Sequence, residues 1–243
     1  MSHDRLTRHD IKHDDFVSGV TRAALWLEDN HRRVITGVVA FALALVVTVA
    51  ARAWWHAREE KALNLLGEVE RRYHATVQGE QEPVLQRPTP GLTYPTPEGK
   101  YGAVLESADA LLAKYGTGAA SRQTRYYRAL ALRELGRHDE AATELKALLG
   151  RRLAPLPRAL ARMALAETHE AAGRFAEAAA VYAELALSPP DMFPAEAALL
   201  GQARCLELEN KIAEARAVYQ RIVDAFPGSP YVQEAPERLR QSG

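Results

Sequence analysis

The chain has 243 residues, and its 31 basic and 31 acidic side chains cancel to a formal net charge of zero. A nucleic-acid interface usually needs a clustered positive face, so this balance argues against a nucleic-acid partner. The only cysteine, Cys205, excludes an intramolecular disulfide and a paired-cysteine zinc site. Abundant Ala, Leu, Glu and Arg favour helices, and we expect an all-α protein.

Residues 1–33 form the first predicted segment, a charged tail with an amphipathic helix. Asp14 or Asp15 can cap this helix, which would lie against a membrane surface or its own span. One helical stripe carries its apolar side chains, namely Phe16, Val20, Ala23 and Leu27. Three histidines of the tail each precede an aspartate, namely His3, His9 and His13. We interpret them as solvated side chains of the tail and predict no metal site.

An apolar run follows, VITGVVAFALALVVTVAA, with 18 residues that lack any charge or side-chain amide. At about 1.5 Å per residue its helix nearly matches a bilayer core of roughly 30 Å. Arg32 and Arg33 precede the run, and Trp54 and Trp55 follow it, as is typical of the flanks of a membrane span. We therefore predict a single transmembrane helix over 34–55.

Two other interpretations of this run are weaker. A buried core helix usually keeps a polar stripe, which is absent here. Ala51-Arg52-Ala53 weakly resembles a signal-peptide cleavage site, but the run is long for a signal peptide and 33 residues precede it. No nearby cysteine could accept a lipid. Three Lys or Arg residues flank each side, so charge alone leaves the orientation open.

Three similar hexapeptides, GRHDEA, GRFAEA and NKIAEA, begin at Gly136, Gly173 and Asn210, each 37 residues after the last. A fixed period of this size is the signature of a helical solenoid. Small and large apolar residues recur in the same phase, as Ala129/Ala166/Ala203, Ala141/Ala178/Ala215, Leu145/Tyr182/Tyr219 and Leu148/Leu185/Ile222.

Each hexapeptide reads as the junction of a helical hairpin. Gly136 and Gly173 would end the first helix because its C′ position needs a positive φ, and Asn210 is the next residue to tolerate that conformation. Alanines would let the paired helices approach closely. Prolines at 155, 157, 189, 190 and 227 would end the second helices.

This pattern resembles the tetratricopeptide repeat over about 119–228, although the period is longer than the usual 34 and the tryptophan of the first helix is missing. We expect three such repeats with a C-terminal capping helix over 119–243. Residues 56–118 would hold a linking helix over 56–78, a proline-rich insertion over 79–99, and a degenerate repeat helix that pairs with the linking helix.

No phosphate loop, HExxH or Gly-x-Ser-x-Gly motif is present, so we predict no enzyme, no cofactor and no small-molecule substrate. His169 stands where Leu132 and Leu206 occur in phase, which indicates packing. What remains is a surface for protein partners, lined by the first helices of the solenoid. Its predicted residues are Tyr126, Leu130, Arg133, Met163, Glu167, Glu170, Leu200, Arg204 and Glu207.

The stretches HDDFVSGVTRAALWLEDNHRRVITGV, ARAWWHAREEKALNLL and VLESADALLAKYG resemble the YfgM-like ancillary subunits of the bacterial Sec translocon. The resemblance implies a cytoplasmic tail, an inner-membrane span and periplasmic repeats. It also implies a non-catalytic scaffold that contacts the translocon or a periplasmic chaperone as exported polypeptides emerge.

Two alternatives remain open. The ending FPGSPY resembles repeats of outer-membrane assembly and Tol-associated proteins, which would make the chain an envelope-assembly or cell-division scaffold. The chain could also be a regulatory subunit of another membrane complex. The sequence names neither the client nor the oligomeric state.

Overall fold

The computed structural model describes residues 21–22, 25–79 and 92–229. The predicted capping helix, the tail histidines, most of the proline-rich insertion and three residues of the predicted tail stripe lie outside these ranges. The elements are α1 (His31–Tyr73), β1 (Thr76–Val77), β2 (Thr93–Tyr94), α2 (Pro97–Lys114), α3 (Ala119–Glu134), α4 (His138–Leu149), α5 (Pro155–Ala171), α6 (Phe175–Leu187), α7 (Ala195–Leu208) and α8 (Ile212–Ala225). The predicted all-helical repeat architecture is confirmed for these residues.

The chain divides into two compact units, residues 1–57 and 58–243. In the first unit, α1 carries the apolar run, and its most apolar 18-residue window has a mean hydropathy of 2.6 with no residue buried. Phe41 is 72 % exposed, and Trp54 and Trp55 are half-exposed with edge-to-face rings 5.9 Å apart. Within the described residues, α1 is the one helix long and apolar enough to cross a membrane.

In the second unit, the end of α1 packs against α2. It takes the place of the first repeat helix that is missing directly before α2 in the sequence. Ala62, Leu66 and Val69 form a buried stripe on α1. Val104, Ala108 and Leu111 form the facing stripe on α2, and the two sets share buried clusters. Both stripes have the spacing of one helical face, so these side chains bring the two helices into contact. The structure thus places the linking helix beside the degenerate repeat helix.

The structure differs from the prediction at three points, and prolines are involved in two of them. The linking helix ends at Tyr73 rather than at residue 78, and Thr76 pairs in parallel with Thr93 across the insertion. Helix α2 begins at Pro97, inside the predicted insertion, and the Thr96 hydroxyl accepts a hydrogen bond from the Gly99 amide. Helix α5 begins at Pro155. Proline is tolerated in the first turn because the N–H it lacks has no partner there.

Three helical hairpins, α3–α4, α5–α6 and α7–α8, share one turn geometry. Gly136, Gly173 and Asn210 have φ angles of 71°, 72° and 60°. The residue after each turn donates its amide to a carbonyl five residues back, as Arg137→Leu132, Arg174→His169 and Lys211→Leu206. This is the Schellman motif, so the predicted left-handed termini, including that at Asn210, are confirmed.

The phase-matched small residues form the contacts between helices. The alanines at 129, 166, 203, 141, 178 and 215 are all at most 1 % exposed. The larger residues of the second helices are equally buried, with Leu145, Tyr182 and Tyr219 at 0–1 %. Alanines let the backbones approach, and the larger side chains fill the space between hairpins, as the repeat pattern predicted.

Tyr182 on α6 packs against Gly201 on α7, the next hairpin. A Cβ on Gly201 would lie 2.6–2.8 Å from three carbons of the Tyr182 ring. One repeat earlier the same two positions hold Leu145 and Ala164, which share a buried cluster. Tyr182 is therefore combined with glycine, and the smaller Leu145 is combined with alanine. The total volume of the two side chains is similar in both repeats.

We expect Gly201→Ala to destabilise the chain by about 1–3 kcal/mol, because the buried ring has no room to retreat. Tyr182→Leu combined with Gly201→Ala restores the pair of the preceding repeat. The double variant should therefore cost less than the sum of the two single variants. Urea unfolding of the four proteins measures the coupling. Strict additivity would contradict this packing.

His169 lies 3 % exposed at the end of α5, beside the hairpin turn. Its Nδ1 accepts a hydrogen bond of 3.2 Å from Arg174 Nε and lies 3.3 Å from Glu177 Oε2. Arg174 Nη1 also donates to Asp139 Oδ1 at 2.5 Å, so it connects two hairpins. Burial lowers the pKa of His169, with Lys146 and Arg174 acting in the same direction and Glu177 and Asp139 opposing them.

Because its pKa is lowered in the folded state, His169 is protonated at a lower pH in the folded chain than in the unfolded chain. Its contribution to stability is therefore complete above the unfolded pKa, about 6.5, and decreases below it. We expect the chain to lose more stability between pH 7.5 and pH 5.5 than the His169→Leu variant, which carries the residue of the neighbouring repeats. Urea midpoints at both pH values test this, and equal losses in the two proteins would contradict it.

Candidate partner-binding surface

The nine predicted partner-binding residues lie on the first helices of the three hairpins. Tyr126, Leu130 and Arg133 belong to α3. The corresponding positions on α5 and α7 are those of Met163, Glu167, Glu170, Leu200, Arg204 and Glu207. Each helix thus presents three of these residues, and their partner-binding role stays a prediction.

Four of the five charged members of this set bind one another across adjacent hairpins. Arg133 on α3 forms an ion pair with Glu167 on α5. Glu170 on α5 accepts two hydrogen bonds from Arg204 on α7, from Nε at 2.6 Å and from Nη2 at 2.9 Å. The hydrogen bond from Arg204 to Glu170 raises the pKa of Arg204 despite partial burial. Their charges therefore contribute to the attachment of one repeat to the next.

Tyrosines of the second helices extend this network. The Tyr182 hydroxyl donates to Glu170 Oε2 at 3.0 Å, and the Tyr219 hydroxyl donates to Glu207 Oε2 at 3.1 Å. Burial raises the pKa of Tyr182, and the Glu170 carboxylate raises it further. Both contacts join residues 12 apart inside one hairpin. The sequence analysis missed these contacts, although the sequence contains a signal for them. The two repeats with glutamate on the first helix have tyrosine 12 residues later, whereas the repeat with Arg133 has leucine there.

The apolar members mostly serve the core. Leu130 and Leu200 are 7 % and 8 % exposed, and Met163 packs in part against the buried cluster of the second and third hairpins. Tyr126 is half-buried. Little of the predicted surface is therefore both apolar and accessible, apart from the region around Tyr126.

A cavity of about 370 Å³ lies beside Tyr126, between α3 and the start of α5. Its apolar walls are formed by Tyr126, Tyr127, Leu148, Leu153, Pro157 and Leu160. Arg122 and Arg152 lie in the same lining. Tyr126 is the one member that the sequence prediction named. The others were missed because the α4–α5 connection contributes to the cavity, and its position does not follow from the repeat phase.

The described residues show no metal-binding cluster, and Cys205 is enclosed in the core. Cys205 is fully buried, and burial raises the pKa of its thiol to about 12, so it remains protonated. Among the residues that the structure describes, no group of three His, Cys, Asp or Glu side chains could hold a metal ion.

Comparisons with known proteins identify the repeats. Two tetratricopeptide repeat family models match, one over residues 99–157 and 126–192 and the other over 171–239. These matches together extend from residue 99 to residue 239, which is more than half of the chain. The comparison with curated proteins gives no match.

A solved structure shares the fold, and a second one aligns less closely. A point variant of nearly identical TPR-like repeats from Podosopora anserina, described as those of a kinesin light chain, aligns with a TM-score of 0.50 and 18 % identity, over 59 % of this chain and 77 % of that chain. A Parabacteroides merdae tetratricopeptide repeat protein aligns with a TM-score of 0.49 and 16 % identity, over 60 % of this chain and 54 % of that one. On the family matches and the three hairpins, the chain is a tetratricopeptide-repeat protein.

Proposed function

We propose that the chain is a membrane-anchored scaffold for protein partners, with its repeats on the far side of the membrane from the N-terminal tail. Tetratricopeptide repeats suggest protein–protein interaction. The observation that carries the anchor is the uncharged apolar window of α1, none of whose residues is buried. Exposed apolar surface of this extent is unfavourable in water and favourable in a bilayer. Trp54 and Trp55 have the position of interfacial anchors.

The resemblance to the YfgM-like ancillary subunits supports a more specific role. On that basis the tail is cytoplasmic, the span lies in a bacterial inner membrane, and the repeats are periplasmic. There they would help to pass exported polypeptides from the Sec translocon to a periplasmic chaperone. This role requires binding and no catalysis. It agrees with a groove whose charged side chains bond to other residues of the chain.

Alkaline phosphatase fusions test the topology. We expect activity in a fusion after Gly243 and none in a fusion at the N-terminus, since the enzyme is active only after export. Activity at the N-terminus alone would contradict the proposal.

Carbonate extraction tests the anchor itself. The wild-type chain should stay in the membrane pellet at its full unprocessed mass. Leu43→Lys combined with Val46→Lys should release it, because a lysine at the centre of a span costs about 2.5–3.5 kcal/mol. The matched control is Arg216→Lys combined with Arg221→Lys, at two exposed positions on α8. A wild-type protein that is extracted, or is shortened near Ala51, would contradict the anchor.

Pulldown from detergent extracts tests the partner. Recovery of the Sec channel supports the translocon role. Recovery of Tol or outer-membrane assembly components alone would assign the chain to envelope assembly. Recovery of a different membrane complex would indicate a regulatory subunit.

A further inference from the structure

Basic residues concentrate in two segments of this neutral chain. Residues 110–133, which include α3 apart from its last residue, Glu134, contain five Lys or Arg and no acidic residue. Residues 145–166, which include the α4–α5 connection and most of α5, also contain five and no acidic residue. Helices α3 and α5 both line the cavity at Tyr126, so the two segments meet there.

Acidic residues outside these segments neutralise part of this charge. Arg125 and Arg128 both bind Glu144, at 2.8 and 3.3 Å, and Arg128 also binds Asp109 at 2.7 Å. Arg133 forms ion pairs with Glu134 and Glu167. These arginines stabilise the hairpins, and their guanidinium groups already have carboxylate partners.

Arg122 and Arg152 differ from these arginines. Both lie in the cavity lining, and neither forms an ion pair with any residue in the described part of the chain. Arg122 is half-buried on α3, and Arg152 is exposed on the α4–α5 connection. Two unpaired guanidinium groups beside one cavity create a local positive potential that a ligand carboxylate can satisfy.

The cavity itself is suited to an apolar side chain. Its volume of about 370 Å³ is in the range of ligand pockets in proteins. Leu160 in its wall is 41 % exposed, so apolar surface there is open to a partner. Tyr126 is a half-buried residue of the cavity wall. Burial raises the pKa of its hydroxyl to about 12, so the group stays protonated and adds no negative charge to the cavity.

We propose that this cavity binds an extended acidic segment of a partner protein. One aromatic or aliphatic side chain of that segment enters the cavity, and carboxylates on either side of it bind Arg122 and Arg152. The proposal rests on the scaffold function proposed above, because it names the chemistry of the partner, but it does not depend on the membrane anchor.

A peptide fits these observations better than an anionic lipid surface. Lipid headgroups are bound by basic residues spread over a surface, and they require no apolar cavity between two helices. Here the two unpaired arginines lie in the lining of a cavity with two tyrosines in its walls. That combination of an apolar anchor and flanking ion pairs is typical of peptide recognition.

Fluorescence anisotropy on the full-length chain in neutral detergent tests the proposal. The probe is a fluorescein-labelled decapeptide, GSDELFDEGS. Two control peptides remove one property each, namely GSNQLFNQGS, which lacks the charges, and GSDEGGDEGS, which lacks the apolar pair. We expect the probe to bind at least about tenfold more tightly than either control, and more weakly as salt increases.

The decisive variant is Arg122→Gln combined with Arg152→Gln, which should weaken probe binding about tenfold or more and flatten its salt dependence. The matched control is Arg216→Gln combined with Arg221→Gln, which removes two exposed arginines of α8 and should leave binding unchanged. Circular dichroism and thermal unfolding check that both variants fold. Leu160→Asp, at an exposed position, should weaken binding by opposing the probe carboxylates.

Three results would overturn the proposal. The first is no binding of the probe by the wild-type chain. The second is equal binding by the two double variants. The third is binding to vesicles of phosphatidylglycerol, lost in the Arg122/Arg152 variant, without binding of the probe. Because the assay is done in detergent, a failure of the membrane topology experiments leaves its outcome interpretable.

Discussion

The left-handed backbone at Gly136, Gly173 and Asn210 fixes the geometry on which the repeat stack depends. Each of these residues ends a first helix and lets the chain reverse within a few residues. The reversal places the first and second helices of one hairpin side by side, so their alanines come into contact at the same level in every repeat. The fixed 37-residue spacing then repeats that contact, and each hairpin presents an equivalent face to the next.

The contacts between hairpins combine apolar volume with charge. Tyr182 fills the space left by Gly201, and the same tyrosine bonds to Glu170, which in turn binds Arg204. One side chain therefore connects the core of the stack to the ion pairs of its groove. A partner that used Glu170 or Arg204 would have to break this network, whereas a partner at Arg122 and Arg152 would not.

The sequence predicted the features that depend on local conformation and period. The left-handed turn at Asn210, the paired alanines and the pairing of α1 with α2 all follow from phase and helical spacing. The tyrosine–glutamate bonds and the cavity were not predicted, because they depend on how far apart neighbouring helices lie. The start of α5 at Pro155 was missed for another reason, since proline can end one helix or begin the next. The net charge of zero also concealed the two segments without acidic residues, because acidic residues elsewhere in the chain balance their positive charge.

The N-terminus of α3 has no side-chain cap of its own, and a residue of α1 replaces it. Glu59 Oε1 accepts hydrogen bonds from the amides of Ala119 and Ala120 at 2.8 and 2.9 Å. A carboxylate at this end of a helix also interacts favourably with the helix dipole. A soluble fragment for crystallisation therefore has to begin before Glu59, even though the first repeat starts 60 residues later. Cutting the chain at the apparent domain boundary near residue 119 would remove the groups that hold its first helix in place.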